Sequence, residues 1–289
     1  MKVVGFSFIK NAVKFDYPIV EAITSILPIC DEFVLAVGKS EDGTRELIEN
    51  LDNPKIQIID TVWDENLRVG GKVLAEETNK AFQAISDDAD WCFYVQGDEV
   101  IHESYLPIIS KGMSDHLNNQ KVEGLLFHYR HFYGSYDYVG DSPQWYPYEV
   151  RVIRNNKKFM SWKDAQGFRN HDTSKLRVKL IDAWVNHYGW VKPPESMQQK
   201  QENFHKLWHD DAWMEENIAK VDEFDYSGIS SLAYFEGTHP AVMQERISKK
   251  NWKFSFDPAK SKLKTRLKIK KFLMDKLGIW TGFKPYRNI

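Results

Sequence analysis

A chain of 289 residues with 42% apolar, 28% charged and 14% aromatic side chains has a globular balance, which excludes wholesale disorder and fibrous repeats. Its 39 basic and 41 acidic residues leave a net charge of −2, which argues against a whole-protein nucleic-acid binder. Only Cys30 and Cys92 are present, both in apolar contexts, so a disulfide framework or cysteine-rich zinc site is excluded and a reducing cytosol fits.

The length suits one α/β domain with an appendage. Lys2 to Phe8 reads as a first strand, with neither the apolar core nor the cleavage site of a signal peptide. A helix follows from Asp16 to Leu27, with Ile19, Ala22, Ile23, Ile26 and Leu27 on one face, and Pro28 closes it. Glu32 to Val37 is a second strand, and Lys39 to Thr44 is a turn-rich loop leading into a helix from Arg45 to Leu51. Such a Ser-x-Asp-Gly-Thr loop also suits plain helix capping. A third strand, Lys55 to Ile59, precedes a loop holding Trp63 and Arg68 to Lys72, and a helix from Val73 to Ile85. Strands alternating with helices predict crossover units and a mainly parallel sheet.

Trp91 to Val100 is the central strand, an apolar run ending in Gly97, Asp98 and Glu99. In open α/β sheets ligands bind beyond the carboxyl ends of such strands. Two hard oxygen donors beside a glycine suit Mg²⁺ or Mn²⁺ carrying a diphosphate, although the same three residues also make an ordinary acidic turn. Beyond it come a helix from Tyr105 to Leu117 and a strand from Glu123 to Tyr129. Arg130 to Tyr148 reads as a long aromatic loop, either a ligand contact or a locally packed lid. Glu149 to Arg154 alternates as a strand, with both its arginines assigned to one face, and Val178 to Trp190 is a late strand carrying His187.

Asn11, the Ser40 to Thr44 loop, Asn79 and the Gln96-Gly97-Asp98-Glu99 run fall in an order and spacing that resemble glycosyltransferase family 2, of the GT-A fold. The resemblance implies a Rossmann-like, mixed but mainly parallel sheet flanked by helices, and transfer of a sugar from a nucleotide-sugar donor to a glycan or lipid-linked acceptor in cell-surface polysaccharide synthesis. It implies a donor site of Phe8, Lys10, Asn11, Lys39, Ser40, Asp42, Lys72, Asn79, Gln96, Gly97 and Asp98. Asp98 and His187 become ligands of a divalent metal, Mn²⁺ or Mg²⁺, and Glu99, Tyr133, Trp145 and Arg151 acceptor contacts. The chain departs from the family in two places. Gln96 stands where an Asp-x-Asp motif begins, and Ala36-Val37-Gly38-Lys39 offers no acidic residue to hold the base, so base identity is not inherited.

An inverting transfer needs a carboxylate to deprotonate the acceptor hydroxyl. Asp164 is the first candidate and Glu149 the reserve. A nucleotidyltransferase would call for a glycine-rich loop after the first strand, which Phe8-Ile9-Lys10-Asn11-Ala12 lacks. A catalytically inactive module binding a glycan or partner is the alternative that Gln96 suggests.

The domains read as 1–192, catalytic, and 193–289, a mainly helical extension. Within the extension, a helix from Ser196 to Trp213 carries His205 and His209 on its surface, and the tail from Lys260 to Lys276 is basic with interspersed Leu and Phe. Such a tail either lies on an anionic membrane or packs as a solvated helix. With no run of the ~18 to 20 apolar residues that a membrane-spanning helix needs, the expectation is a cytoplasmic protein, peripheral at the inner membrane face. The oligomeric state is left open.

Overall fold

Val3–Ile9 is apolar almost throughout, the pattern of a strand covered on both faces, and it forms β1 in the middle of the sheet. The computed structural model describes residues 1–218 and 221–289. Its strands are β1 (Val3–Ile9), β2 (Glu32–Gly38), β3 (Ile56–Thr61), β4 (Trp91–Tyr94), β5 (Glu99–Ile101), β6 (Gly124–Tyr133), β7 (Ser135–Gly140), β8 (Tyr148–Arg154), β9 (Phe159–Trp162), β10 (Gly167–Asn170), β11 (Arg177–Trp190), β12 (Leu232–Tyr234) and β13 (Arg287–Asn288). Its helices are α1 (Ile19–Ile26), α2 (Thr44–Glu49), α3 (Lys72–Gln83), α4 (Leu106–His116), α5 (Pro194–Lys206), α6 (Asp211–Asn217), α7 (Gln244–Ser248) and α8 (Thr265–Leu277).

The fold is mixed α/β. Strands β3-β2-β1-β4 run parallel in that order; β4 then pairs antiparallel with β8, and β8 with β6. Beside β6 lies the long β11, parallel to it. One face is covered by α1 and α4, whose Ile19, Ile23, Ile26, Ile109 and Met113 pack on Phe33, Phe93 and Phe127. The other is covered by α3 and the β9–β10 hairpin, where Phe82, Phe159 and Phe168 meet Phe6 and Tyr94. Truncating a fully buried ring such as Phe82 to alanine costs about 3 to 5 kcal/mol.

Three expectations are corrected. The central strand does not run on to Val100. It ends at Tyr94, Gly97 and Asp98 form a turn, and Glu99 opens β5, which pairs antiparallel with β11. The aromatic stretch after Tyr129 is a loop only over 141–147, because β6 continues to Tyr133 and turns through Gly134 into β7, with the rings filling the space beneath. Arg151 and Arg154 lie three residues apart, so pleating puts them on opposite faces. Arg151 meets Glu99, and Arg154 caps the end of α4 through the carbonyls of His116 and Leu117.

The chain after Trp190 folds back onto the sheet. β12 extends β7, β13 adds to β11, and Arg246 pairs with Glu21 at 2.8 Å and with Asp16. The predicted helix over Ser196 to Trp213 is two helices. Asp210 ends the interruption by accepting from the Trp213 amide at 2.9 Å, a side-chain N-cap that starts α6.

Candidate active site

A cavity of about 460 Å³ opens at the carboxyl ends of β1 and β4, where an α/β sheet places its ligands. Phe8, Lys10 and Asn11 line it from β1 and the following turn, and Gln96, Gly97 and Asp98 from the turn after β4. Asp164 and Gln166 close a second side, His187 and Trp190 stand at the end of β11, and Tyr17, Trp63 and Tyr146 supply rings. α5 forms the roof. Lys200, Gln201, Asn203, Phe204 and His205 of α5 and Leu207 at its end face the cavity, with Lys200, Asn203, Phe204 and Leu207 at the i, i+3, i+4, i+7 spacing of one helix face.

Of the residues predicted for the donor, Phe8, Lys10, Asn11, Gln96, Gly97 and Asp98 share this cavity. Ser40 and Asp42 stand one step behind it. Ser40 Oγ accepts from the Asn11 amide at 2.9 Å, Asp42 Oδ2 from the Lys14 amide at 2.7 Å, and Thr44 Oγ1 from the Ala12 amide at 2.7 Å. The loop after β2 thereby fixes the backbone that presents Lys10 and Asn11, with Asn11 held at a positive φ of 54°. Lys39 and Lys72 are exposed and do not line the cavity. Neither does Asn79, whose Oδ1 accepts from the Ser161 amide at 2.7 Å and ties α3 to β9.

The four expected acceptor contacts lie outside the cavity, for local reasons. Glu99 and Arg151 are fully buried and joined by two hydrogen bonds, Nε to Oε2 at 2.7 Å and Nη2 to Oε1 at 2.5 Å. Tyr129 and the Gln96 amide also donate to the Glu99 carboxylate. With β5 paired to β11, Glu99 points inward, and the pair becomes a strut behind the Asp98 turn. Tyr133 is buried with its hydroxyl toward the Tyr226 carbonyl, and Trp145 packs against His131 and Trp190. The neighbouring Tyr146 reaches the cavity instead.

Asp164 does line the cavity, on the turn between β9 and β10. Lys163 and Ala165 on either side have positive φ values of 56° and 61°, a left-handed kink that aims the intervening side chain outward. Partial burial pushes the Asp164 carboxyl above its ordinary range, as suits a group that takes a proton. Glu149, the reserve base, lies behind it at 1% exposure with neither carboxylate oxygen hydrogen-bonded. Burial, partly offset by Arg151 and reinforced by Glu99 and Asp164, pushes it up to about 8. Its Oε2 lies 3.6 Å from Arg151 Nη1, and it does not line the cavity.

Asp98 and His187 are brought together, with Nε2 3.7 Å from Oδ2. They do not form a fitting divalent-metal centre. The same Oδ2 accepts from Lys200 Nζ at 3.1 Å, so the oxygen a metal would take already faces an ammonium. Among the described residues no group of three His, Cys, Asp or Glu side chains is placed to hold a metal ion. Burial works against the Asp98 charge, yet Lys200 and then His187 hold its carboxyl well below the usual range. Burial, followed by repulsion from Lys200, pulls Lys192 down to about 7.

Sequence reasoning passed over Tyr17 and the α5 face, and held Tyr146 only as one ring of the aromatic stretch. The signal for the α5 face was present, since Lys200, Asn203, Phe204 and Leu207 are spaced as one helix face just after a strand ending in His187. Lys200 sits in a polar helix that reads as solvated surface.

No known protein family and no curated protein sequence matches the chain. Solved structures resemble it at low identity. One crystal structure of S. aureus TarS gives 14% identity and a TM-score of 0.42, covering 70% of this chain and 39% of that one. The 1–349 form in complex with UDP-GlcNAc gives 13% and 0.41, covering 76% and 71%. Glucosyl-3-phosphoglycerate synthase from Mycobacterium tuberculosis, in complex with Mn²⁺, UDP-glucose and phosphoglyceric acid, gives 14% and 0.32, covering 45% and 44%. The 4-diphosphocytidyl-2C-methyl-D-erythritol synthase of Anaerococcus prevotii gives 11% and 0.37, covering 71% and 94%. The chain thus spans 39% of the length of the first of these TarS chains. Likeness of this size leaves the chemistry to be read from the cavity's own residues.

Proposed function

We propose that the chain is a nucleotide-sugar-dependent glycosyltransferase of the GT-A, family 2 type, which transfers a hexose to a glycan or lipid-linked acceptor in cell-surface polysaccharide synthesis. The observation that carries the reading is the sharing of one cavity by the Gln96-Gly97-Asp98 turn, Lys10 and Asn11 on the donor side and Asp164 on the other. Lys10 and the rings of Phe8 and Trp63 offer a cation and flat apolar faces for a nucleotide. Tyr146 and Trp190 offer faces for sugar C–H groups.

In the transfer, the acceptor oxygen attacks the anomeric carbon as the bond to the diphosphate breaks. Asp164 takes the hydroxyl proton, the nucleoside diphosphate leaves with the electron pair, and the configuration inverts. The divalent metal that the resemblance brings with it is left out of this scheme, because Lys200 occupies the face of Asp98 that a metal would need. The proposed setting is the cytoplasmic face of a membrane. In support, α8 leaves Ile269, Phe272 and Leu277 exposed among its lysines, suiting an anionic surface, while no helix among the described residues is long and apolar enough to cross a bilayer.

The test is release of nucleoside diphosphate from a panel of UDP-, GDP-, CDP-, ADP- and dTDP-sugars, with water as the default acceptor. One nucleotide class is expected to turn over slowly in the wild type, and Asp164→Asn is expected to lower kcat by about 10²- to 10³-fold with donor affinity within about threefold. Turnover of none of them, or full activity in Asp164→Asn, would overturn the reading or the base assignment respectively.

A further inference from the structure

The residues around Asp98 define what meets the charge of the leaving diphosphate. We infer that the ammonium of Lys200, rather than a divalent ion, binds the diphosphate of the donor and stabilises it as it departs. This rests on the nucleotide-sugar reading above.

Lys200 is built into its place. Its Nζ donates to Asp98 Oδ2 at 3.1 Å and to the Gly189 carbonyl at 2.8 Å, over the Tyr17 ring at 5.0 Å, with the side chain only 12% exposed. Three N–H groups with two protein acceptors leave one to point into the cavity that Lys200 lines. Gly189 permits this arrangement, since a Cβ there would stand 2.6 Å from Asp98 Oδ2 and 2.5 Å from His187 Nε2. Any side chain at 189 would push apart the group that seats the ammonium.

The helix that carries Lys200 is anchored as well. Arg68 Nε donates to the Lys206 carbonyl at 2.7 Å, the Gly71 amide donates to the Leu207 carbonyl at 3.3 Å, and Arg68 pairs with Asp211 at 2.8 Å. The loop before α3 therefore clamps the end of α5 over the cavity. A neighbouring lysine, Lys192, lies across the Tyr17 ring at 4.5 Å and donates to the Asp16 carbonyl at 2.6 Å, its own charge weakened by burial and by Lys200. Lys10 lines the cavity from the turn after β1. Positive charge thus reaches the Asp98 turn from lysines on separate elements, and Asp98 acts as the acceptor that orients one of them. A fixed ammonium aimed at a developing phosphate charge is a recognised means of transition-state stabilisation.

The experiment is calorimetric titration of nucleoside diphosphates and the matching monophosphates into wild type, Lys200→Met and Lys200→Arg, each with EDTA and with Mn²⁺. The wild type is expected to bind one diphosphate in EDTA, with Mn²⁺ changing Kd by less than about threefold. Lys200→Met is expected to weaken the diphosphate about thirtyfold and the monophosphate less than about threefold, the pattern of a lost charge-assisted contact rather than a distorted pocket. Lys200→Arg keeps the charge and should stay within about fivefold of the wild type. Tightening of the wild-type complex tenfold or more by Mn²⁺, or unchanged diphosphate binding in Lys200→Met, overturns the lysine assignment and leaves the transferase standing. Absence of binding by every nucleotide in both EDTA and Mn²⁺ defeats the nucleotide-sugar reading itself, and this inference with it. Should Lys200→Met fail to fold by circular dichroism, the wild-type metal comparison decides.

Discussion

The side-chain amide of Gln96 donates to the backbone carbonyl of Ala165 at 3.1 Å, joining the turn after β4 to the turn that presents Asp164. The residue that breaks the Asp-x-Asp pattern thus links the donor side of the cavity to the proposed base. Gln96→Ala removes one hydrogen bond, worth about 1 kcal/mol of stability, and frees the base turn. Its kcat is expected to fall about tenfold with nucleotide affinity within about threefold, measured by donor turnover and calorimetry. Equal loss in Kd and kcat would place Gln96 on the nucleotide instead.

Glu99 and Arg151 are both fully buried, and each neutralises the other. Removing one partner leaves an uncompensated internal charge, so Arg151→Met is expected to cost about 3 to 5 kcal/mol. Replacing both, Glu99→Met with Arg151→Met, should recover a large part of that loss. Urea unfolding of the single and double variants measures both numbers. An Arg151→Met protein as stable as wild type would show that the strut carries no weight.

Much of the frame is legible in the sequence because β1, β2 and β4 are short apolar runs separated by helices, and burial on both faces leaves few other ways to read them. What escaped depends on pairing over distance. Gly97 hints at a turn, but that β4 stops at Tyr94 and Glu99 opens a new strand follows from Glu99 pairing with His187 across β5 and β11. That pairing turns Glu99 inward and Asp98 outward, so adjacent carboxylates have opposite fates. Tyr133 and Trp145 read as ligand contacts because a hairpin filling its own underside has the same composition as an aromatic binding loop. Lys200 became visible only when α5 folded back over the turn, 102 residues away in sequence from Asp98.

Glu149 makes stability depend on pH. Its folded pKa, about 8, stands above the unfolded value of about 4.3, so the folded protein holds a proton that the unfolded chain releases between them. This contribution is full below the unfolded pKa, is lost as pH rises to about 8, and is flat beyond. Glu149→Gln removes the dependence and should gain relative stability from pH 5 to pH 8, read by urea unfolding at each pH. Parallel pH profiles for the two proteins would refute this placement of the group.

The tail makes a prediction about surfaces. Lys264, Lys268 and Lys276 are exposed, as are Ile269, Phe272 and Leu277. Each lysine near an anionic bilayer contributes about 1 kcal/mol. Co-sedimentation with vesicles containing phosphatidylglycerol is expected for the wild type, to fall more than about tenfold in Lys264→Glu/Lys268→Glu/Lys276→Glu, and to be absent with phosphatidylcholine alone. Equal partition onto both vesicle types would remove the charged surface from the scheme.

The most direct test of the transferase reading is a crystal structure of the chain with the nucleoside diphosphate that calorimetry selects, grown in EDTA. The diphosphate is expected on the cavity side of the Lys200 ammonium, with the base toward Phe8 and Trp63 and open cavity left on the Asp164 side. A nucleotide bound elsewhere, or a cavity that takes none of the panel, would contradict it.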